Sequence, residues 1–232
     1  MDVTSATVQV LAYSLIVGRT QQQSNRASLL TAVTASLESS FGPEHPEVAA
    51  AIIDLAKTYY GESKFDDAER LLRRALGMCE KTLGPEHPRV AVALNDLAAV
   101  QQAKHRYKEA ESLYGRALSI QQKSLKSDDP AIARTLDNLA ATYCAQRRYQ
   151  EAEPLYRLSL NMAERRWGLT HPDLAVLLAD YARLLRKLHQ KDEARRLDAR
   201  VRALQAGMNP TNLAVDWRDL QKPLKNTPSL PR

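Results

Sequence analysis

Apolar residues recur along most of the chain with the spacing of one face of an α-helix. In one segment they follow the i, i+4, i+7, i+8 pattern, at Val48, Ile52, Leu55, Ala56 and Tyr59. A second set with helical spacing follows it, at Ala68, Leu71, Leu72, Ala75 and Leu76. The short polar break "GESKF" (residues 61–65) separates the two sets. The pattern therefore predicts two helices joined by a tight turn.

This helix pair recurs along the chain at an interval of 42 residues, which the prolines Pro46, Pro88, Pro130 and Pro172 mark. Two columns of alanine keep the same interval, at Ala56, Ala98, Ala140 and Ala182, and at Ala68, Ala110, Ala152 and Ala194. The breaks "AKHRY", "AQRRY" and "KLHQK" fall at the positions equivalent to "GESKF". The chain is therefore predicted to contain four copies of an internal repeat. Each helix pair buries its apolar face only by stacking on its neighbours.

The pentapeptide "GPEHP" occurs at residues 42–46 and again at 84–88, and its His beside a Glu raises the question of a catalytic or metal site. Glycine after an apolar turn is typical of a helix end, and proline is typical of the first turn of the next helix. In the third copy Asp129 replaces the histidine, a change that a helix cap tolerates. We interpret His45, His87 and His171 as helix punctuation, with no catalytic or metal-binding role.

Composition supports an all-α fold, because residues that favour helices dominate and the 232 residues include only 8 Gly and 2 Phe. Cys79 and Cys144 lie too far apart in sequence for a zinc motif, and we expect buried free thiols in a reducing compartment. The apolar stretch at residues 8–18 is too short to span a bilayer and lacks a basic leader. We predict a helix there and a cytoplasmic protein.

No nucleophile–base pair, phosphate-binding loop or metal-binding motif is recognisable in the sequence. We therefore predict a non-catalytic protein that uses no cofactor and no metal.

The repeat resembles the tetratricopeptide pattern, in the columns of Leu55 and Ala56, Tyr59, Ala68, Leu72 and Ala75. Its length is similar to the long repeats of kinesin light chains and related bacterial proteins, with the extra residues in the "LGPEHPxVA" connection. The resemblance implies a right-handed superhelical solenoid of antiparallel helix pairs. It also implies a concave groove, lined by the first helix of each pair, that holds a peptide or a helix of a protein partner.

Helical geometry places one set of residues opposite the apolar stripe of each first helix, where a groove would lie. Small and apolar residues alternate there with polar ones, which suits an extended, partly apolar partner. The candidate partner-binding residues are Asp54, Lys57, Asn95, Asp96, Arg134, Asn138, Asp180 and Arg183. Amides such as Asn95 and Asn138 can bond a peptide backbone, and Arg134 and Arg183 can pair with acidic side chains. The alternative interpretation of each residue is an ordinary solvated helix face.

The last repeat is strongly basic and suggests a second mode of action. Its cations are Arg183, Arg186, Lys187, Lys191, Arg195, Arg196, Arg200 and Arg202, opposed by Asp192, Glu193 and Asp198. One interpretation is a polar cap that shields the end of the repeat array. The other is a regulatory or assembly subunit that docks through this repeat to an acidic protein or a nucleic acid. Few aromatic residues lie among these charges, which argues against a single-stranded nucleic acid as the partner.

We predict three regions: a divergent N-terminal capping repeat (residues 1–41), four repeats (42–206) and a C-terminal tail (207–232). The capping repeat is expected to have helices near residues 3–17 and 24–40. In the tail, "NPTNLAVDWRDL" predicts a short helix with Leu213, Trp217 and Leu220 on one face. It either packs on the last repeat or, by resemblance to the Trp-containing acidic peptides that kinesin light chains bind, occupies a groove of its own or a neighbouring molecule, which would give self-association.

Overall fold

The computed structural model describes residues 26–207, and within them nine α-helices and no strand are present. In chain order these are α1 (residues 26–41), α2 (Pro46–Gly61), α3 (Phe65–Leu83), α4 (Pro88–Ala103), α5 (Tyr107–Ser124), α6 (Pro130–Ala145), α7 (Tyr149–Trp167), α8 (Leu174–Lys187) and α9 (Lys191–Gln205). The predicted all-α fold of repeated helix pairs is confirmed. Each of the four predicted polar breaks lies where one helix ends and the next begins.

The chain divides into two compact units, which are described over residues 26–104 and 105–207. In the first unit α3 packs between α2 and α4, and α2 also contacts α4 directly. In the second unit each helix from α5 to α9 packs on the next, and α6 also contacts α8. First helices of successive pairs thus lie side by side within a unit, because each contacts the next directly as well as the second helix that connects them.

The predicted helix starts are confirmed in three of the four copies. His45, His87 and Asp129 are the N-cap residues of α2, α4 and α6, and each side chain accepts a hydrogen bond from the backbone N–H two residues later. The distances are 3.2, 3.1 and 2.8 Å. Proline follows each cap, where its missing N–H leaves no helical bond unmade. The two histidines and the aspartate therefore have the same role, that of a helix N-cap.

The fourth copy departs from the prediction that proline begins the helix. Here α8 begins at Leu174, two residues after Pro172, although His171 Nδ1 still accepts from the Asp173 N–H at 3.3 Å. The first turn closes instead with bonds from the Leu174 N–H to the His171 carbonyl and from the Ala175 N–H to the Pro172 carbonyl. Such bonds to the third residue back wind the chain more tightly than an α-helix.

Glycine ends the helices that precede His45, His87 and His171, as predicted, whereas α5, before Asp129, has Leu125 as its C-cap. Gly84 and Gly168 have φ of +89° and +81°, in a region that side chains other than hydrogen disfavour. Their N–H groups donate to the carbonyls of Glu80 and Glu164 and so close the last helical turn. Near the helix ends at Gly42 and Gly168, a histidine ring also stacks on an aromatic ring, at centroid distances of 4.8 Å for Phe41–His45 and 5.1 Å for Trp167–His171.

The core consists of the repeated apolar columns. Both predicted alanine columns are buried in all four copies, with no member more than 1% exposed. Their small side chains allow helix backbones to approach closely, while larger side chains such as Leu72, Tyr114, Tyr156 and Leu197 fill the remaining space. Cys79 is buried, as expected, but Cys144 is only partly so.

The turn within each pair contains a residue that sequence analysis did not single out. Ser63, His105, Arg147 and His189, one in each copy, have φ between 59° and 63°. This left-handed conformation costs a residue with a side chain about 1–2 kcal/mol. Each pair therefore carries a small local strain at the same place.

Replacing Ser63 or Arg147 with glycine is expected to raise the free energy of unfolding by about 0.5–1 kcal/mol, because relief of the strain exceeds the greater chain entropy of unfolded glycine. Urea denaturation measures the change. Arg165→Gly, at an exposed position in the last turn of α7, is the control and should lower stability by up to about 1 kcal/mol. If Ser63→Gly and Arg147→Gly also lower it, the turns are not strained.

Several predictions fall outside the described residues. The helix expected near residues 3–17 and the tail residues Leu213, Trp217 and Leu220 belong to this part of the chain, so these predictions are not tested. The second N-terminal helix, expected near residues 24–40, corresponds to α1. No helix within residues 26–207 is long and apolar enough to cross a membrane.

Candidate functional site

The candidate site is the side of α2, α4, α6 and α8 that carries the predicted partner-binding residues, which we call the helix-A face. Because first helices lie side by side, this face is continuous between α2 and α4 in the first unit and between α6 and α8 in the second.

In the first unit a lysine bridges the two helices. Lys57 Nζ lies 3.2 Å from Asp54 Oδ1 on α2 and 3.6 Å from Asp96 Oδ2 on α4. Asp54 and Lys57 are exposed and Asp96 is half-buried. These three predicted residues are thus brought together as one charged cluster that a partner can reach.

Asn95, also predicted for the face, is almost completely buried. Only 3% of its surface is exposed, and Ile53 at the equivalent position of the preceding repeat is 5% exposed. This column therefore lies beneath the surface of the face in the first unit. Asn95 is not exposed to a partner in this structure, contrary to the expectation from helical spacing.

In the second unit the face carries two exposed arginines. Arg134 and Arg183 are exposed, and Arg183 Nη1 lies 2.9 Å from Asp180 Oδ1 one turn earlier on α8. Asn138 is half-buried. Val176, at the position on α8 equivalent to Arg134, is 68% exposed, an unusual degree for an apolar side chain inside a helix. Charged and apolar contacts are therefore available next to each other.

Asp137 is the most perturbed group of this face. Its Oδ1 is shielded from solvent and accepts no hydrogen bond from the described residues. Burial, together with the negative charge of Asp180, raises the pKa of Asp137 to about 6. Asp137 is not among the residues that the sequence analysis selected. The sequence feature that could have identified Asp137 is its acidic side chain at a repeat position that holds Ile53, Asn95 and Ala179 in the other copies.

Two ionisable groups in the neighbourhood of Asp137, the Tyr156 hydroxyl and the Cys144 thiol, are neutral at physiological pH. Tyr156 of α7 is buried and its ring stacks on that of Tyr181, with centroids 6.0 Å apart. Burial, together with neighbouring Cys144, Asp137 and Asp180, raises the pKa of Tyr156. Burial also raises the pKa of the Cys144 thiol to about 11, so it carries no thiolate nucleophile near neutral pH.

The basic repeat is less cationic at its surface than its sequence suggests. Arg183, Arg186 and Arg195 pair with Asp180, Asp198 and Asp192. Arg200 is only 8% exposed and pairs with Glu164 of α7, so it serves the interior rather than a docking surface. Lys187, Lys191, Arg196 and Arg202 are exposed.

Comparison with known proteins agrees with this geometry. The tetratricopeptide repeat family model matches four overlapping segments, residues 26–81, 59–123, 89–165 and 131–206. No protein of curated function matches the sequence.

Solved structures with similar folds include the nearly identical TPR-like repeats of a kinesin light chain-type protein of Podosopora anserina. They share 27% identity with this chain at a TM-score of 0.66, covering 92% of this chain and 100% of that one. BtubC (BKLC) of P. vanneervenii gives a TM-score of 0.72 at 17% identity, covering 98% of this chain and 87% of that one, a likeness of fold alone.

Proposed function

Because the chain belongs to the tetratricopeptide repeat family, whose members are typically non-catalytic protein-interaction modules, we propose that it is an adaptor or scaffold that binds a protein partner. The helix-A face is the proposed binding surface, and a peptide or helix of the partner is the proposed ligand. Cytoplasmic location remains a prediction.

The observation that carries this proposal is the combination of side chains on the helix-A face of the second unit. Exposed Arg134 and Arg183 offer charge-assisted hydrogen bonds to a partner's carboxylates, and arginine is enriched among residues that dominate binding energy. Exposed Val176 offers an apolar contact beside them. Half-buried Asn138 can bond a peptide backbone as both donor and acceptor.

The test compares two matched double variants. Arg134→Ala with Asn138→Ala removes an arginine and an asparagine four residues apart from the helix-A face of α6. We expect a loss of about 1–2 kcal/mol in binding, or about tenfold in affinity. Proteins captured from cell extract by the unaltered chain are identified, and the affinity of a purified captured partner is then measured with both forms.

Asn161→Ala with Arg165→Ala is the control. It removes the same two residue types, also four apart, with similar exposure but on α7. It should keep the affinity of the unaltered chain. Equal losses in both double variants would remove the helix-A face as the binding surface.

The alternative function, docking through the basic last repeat, is supported by its exposed cations Lys187, Lys191, Arg196 and Arg202. Their contacts would weaken steeply with salt, whereas a contact with apolar anchors weakens less.

A further proposal is that the C-terminal tail docks in a groove of its own or a neighbouring molecule. Deletion of residues 207–232 tests this, because unchanged partner affinity and oligomeric state would exclude Leu213, Trp217 and Leu220 as a docking segment.

A further inference from the structure

We propose that partner binding by the helix-A face of the second unit is coupled to a proton: Asp137 takes up a proton from solvent when a partner's carboxylates bind, so the face binds them more tightly as the pH falls. This inference rests on the proposed function of the same face.

The position of Asp137 is the first argument. It lies in a column that is buried in the first unit, at Ile53 and Asn95, and that is filled by Ala179 in the next repeat. A carboxylate there has lost water around one oxygen without gaining a donor from the described residues. Buried charge without a partner favours the protonated, neutral form.

The surrounding charges are the second argument. Asp180 of α8 and Tyr156 of α7 interact electrostatically with Asp137. Tyr156 interacts in turn with Arg183 of α8 and with Cys144, which lies on the same helix as Asp137. Tyr156 and Cys144 are neutral near pH 7, while Arg183 is paired with Asp180. The ionised Asp137 therefore leaves this cluster with one net negative charge, and protonation removes it.

Proton uptake and binding then reinforce each other. A pKa of about 6 means that Asp137 is largely ionised at neutral pH and repels an incoming carboxylate that approaches Arg134 or Arg183. Conversely, a bound carboxylate disfavours the ionised form of Asp137 and draws a proton from solvent. Linkage requires that a ligand whose binding takes up protons binds more tightly at lower pH.

The probe is a short fluorescent peptide in which glutamate alternates with leucine, measured by fluorescence polarisation with the full chain. We expect affinity about three- to tenfold higher at about pH 5.5 than at about pH 7.5. Asp137→Asn and Asp137→Ala, which introduce residues found in the same column as Asn95 and Ala179, should bind tightly at both pH values and lose most of this ratio. All other titrating groups are the same in these proteins, so the difference isolates Asp137.

Asp128→Asn is the charge-matched control, because it removes an exposed carboxylate from the loop before α6. It should keep the pH dependence of the unaltered chain. If the Asp137 variants keep it too, the proton coupling is wrong while the proposed function stands. If the peptide binds the unaltered chain at neither pH, the proposed binding surface fails and the coupling fails with it. Equal binding of a labelled single-stranded oligonucleotide, with the same pH ratio, would overturn a peptide as the ligand.

Discussion

Replacing Arg200 with alanine is expected to lower the free energy of unfolding by about 3–5 kcal/mol, because it leaves a buried carboxylate without its partner. Arg200 Nη1 donates to Glu164 Oε1, and its Nη2 donates to the Leu169 carbonyl at 3.2 Å. The Arg200 and Glu164 side chains are only 9% and 11% exposed. Chemical denaturation of the full chain measures the loss.

Arg195→Ala is the matched control on the same helix. Arg195 pairs with Asp192 three residues earlier, but its side chain is 78% exposed. Exposed pairs contribute little, so we expect a change of no more than about 0.5 kcal/mol. Equal effects of the two substitutions would show that the Arg200–Glu164 pair is not effectively buried.

A double substitution separates the lost pair from the unpaired charge. Arg200→Met alone keeps most of the side-chain volume but still leaves Glu164 unpaired, and should remain destabilising. Adding Glu164→Leu removes the unpaired carboxylate and should recover most of the loss, because apolar replacement of a whole buried pair is often neutral or better. Failure of the second substitution to recover stability would attribute the loss to packing or to the Leu169 carbonyl.

Arg200 also shows where sequence reasoning reached its limit. The sequence grouped it with the exposed cations of the last repeat, since charge along a helix is usually solvated. At the equivalent positions of other copies, Arg74 and Leu158 are indeed exposed. Arg200 is buried because Glu164 and the Leu169 carbonyl lie within reach, a contact between residues more than 30 apart in sequence. Helical periodicity contains no information about such a contact.

Features governed by neighbouring residues were predictable. The helix starts at Pro46, Pro88 and Pro130 follow from local capping, and the glycine ends follow from a backbone conformation that other residues avoid. The alanine columns were predictable for a different reason. Alanine occurs at the same position in all four copies, so a preference that would be weak evidence in one helix becomes a consistent pattern.

The exposure of the candidate site residues was only partly predictable from helical spacing. Lys57, Asp96, Arg134 and Arg183 are accessible on the helix-A face, whereas Asn95 on the same face is buried. How deeply a side chain is buried depends on the side chains of adjacent helices. The apolar periodicity of a single helix contains no information about them. Asp137 was passed over for the same reason, because its perturbation arises from burial and from Asp180 on another helix.

Asp137→Asn is expected to stabilise the fold by about 2–3 kcal/mol above pH 7, and by much less near pH 4. The pKa of Asp137 is about 6 in the folded chain against an ordinary value of 3.8, so the folded state binds more protons between these values. The stability contribution of this group is therefore fully present below about pH 4 and is lost as the pH rises through about 6. Asparagine cannot ionise, so it does not suffer that loss, which is about 1.4 kcal/mol per pKa unit.

Urea denaturation at several pH values tests this sign directly. The difference between Asp137→Asn and the unaltered chain should grow from near zero at about pH 4 to its full size above about pH 7. Asp54→Asn removes an exposed carboxylate paired with Lys57, and should change stability by no more than about 0.5 kcal/mol with no such growth. A difference for Asp137→Asn that stays constant with pH would mean that Asp137 keeps its ordinary ionisation in the fold. Both the stability gain and the proton coupling of the helix-A face would then be wrong, since each depends on an Asp137 carboxylate that the fold disfavours in its charged form.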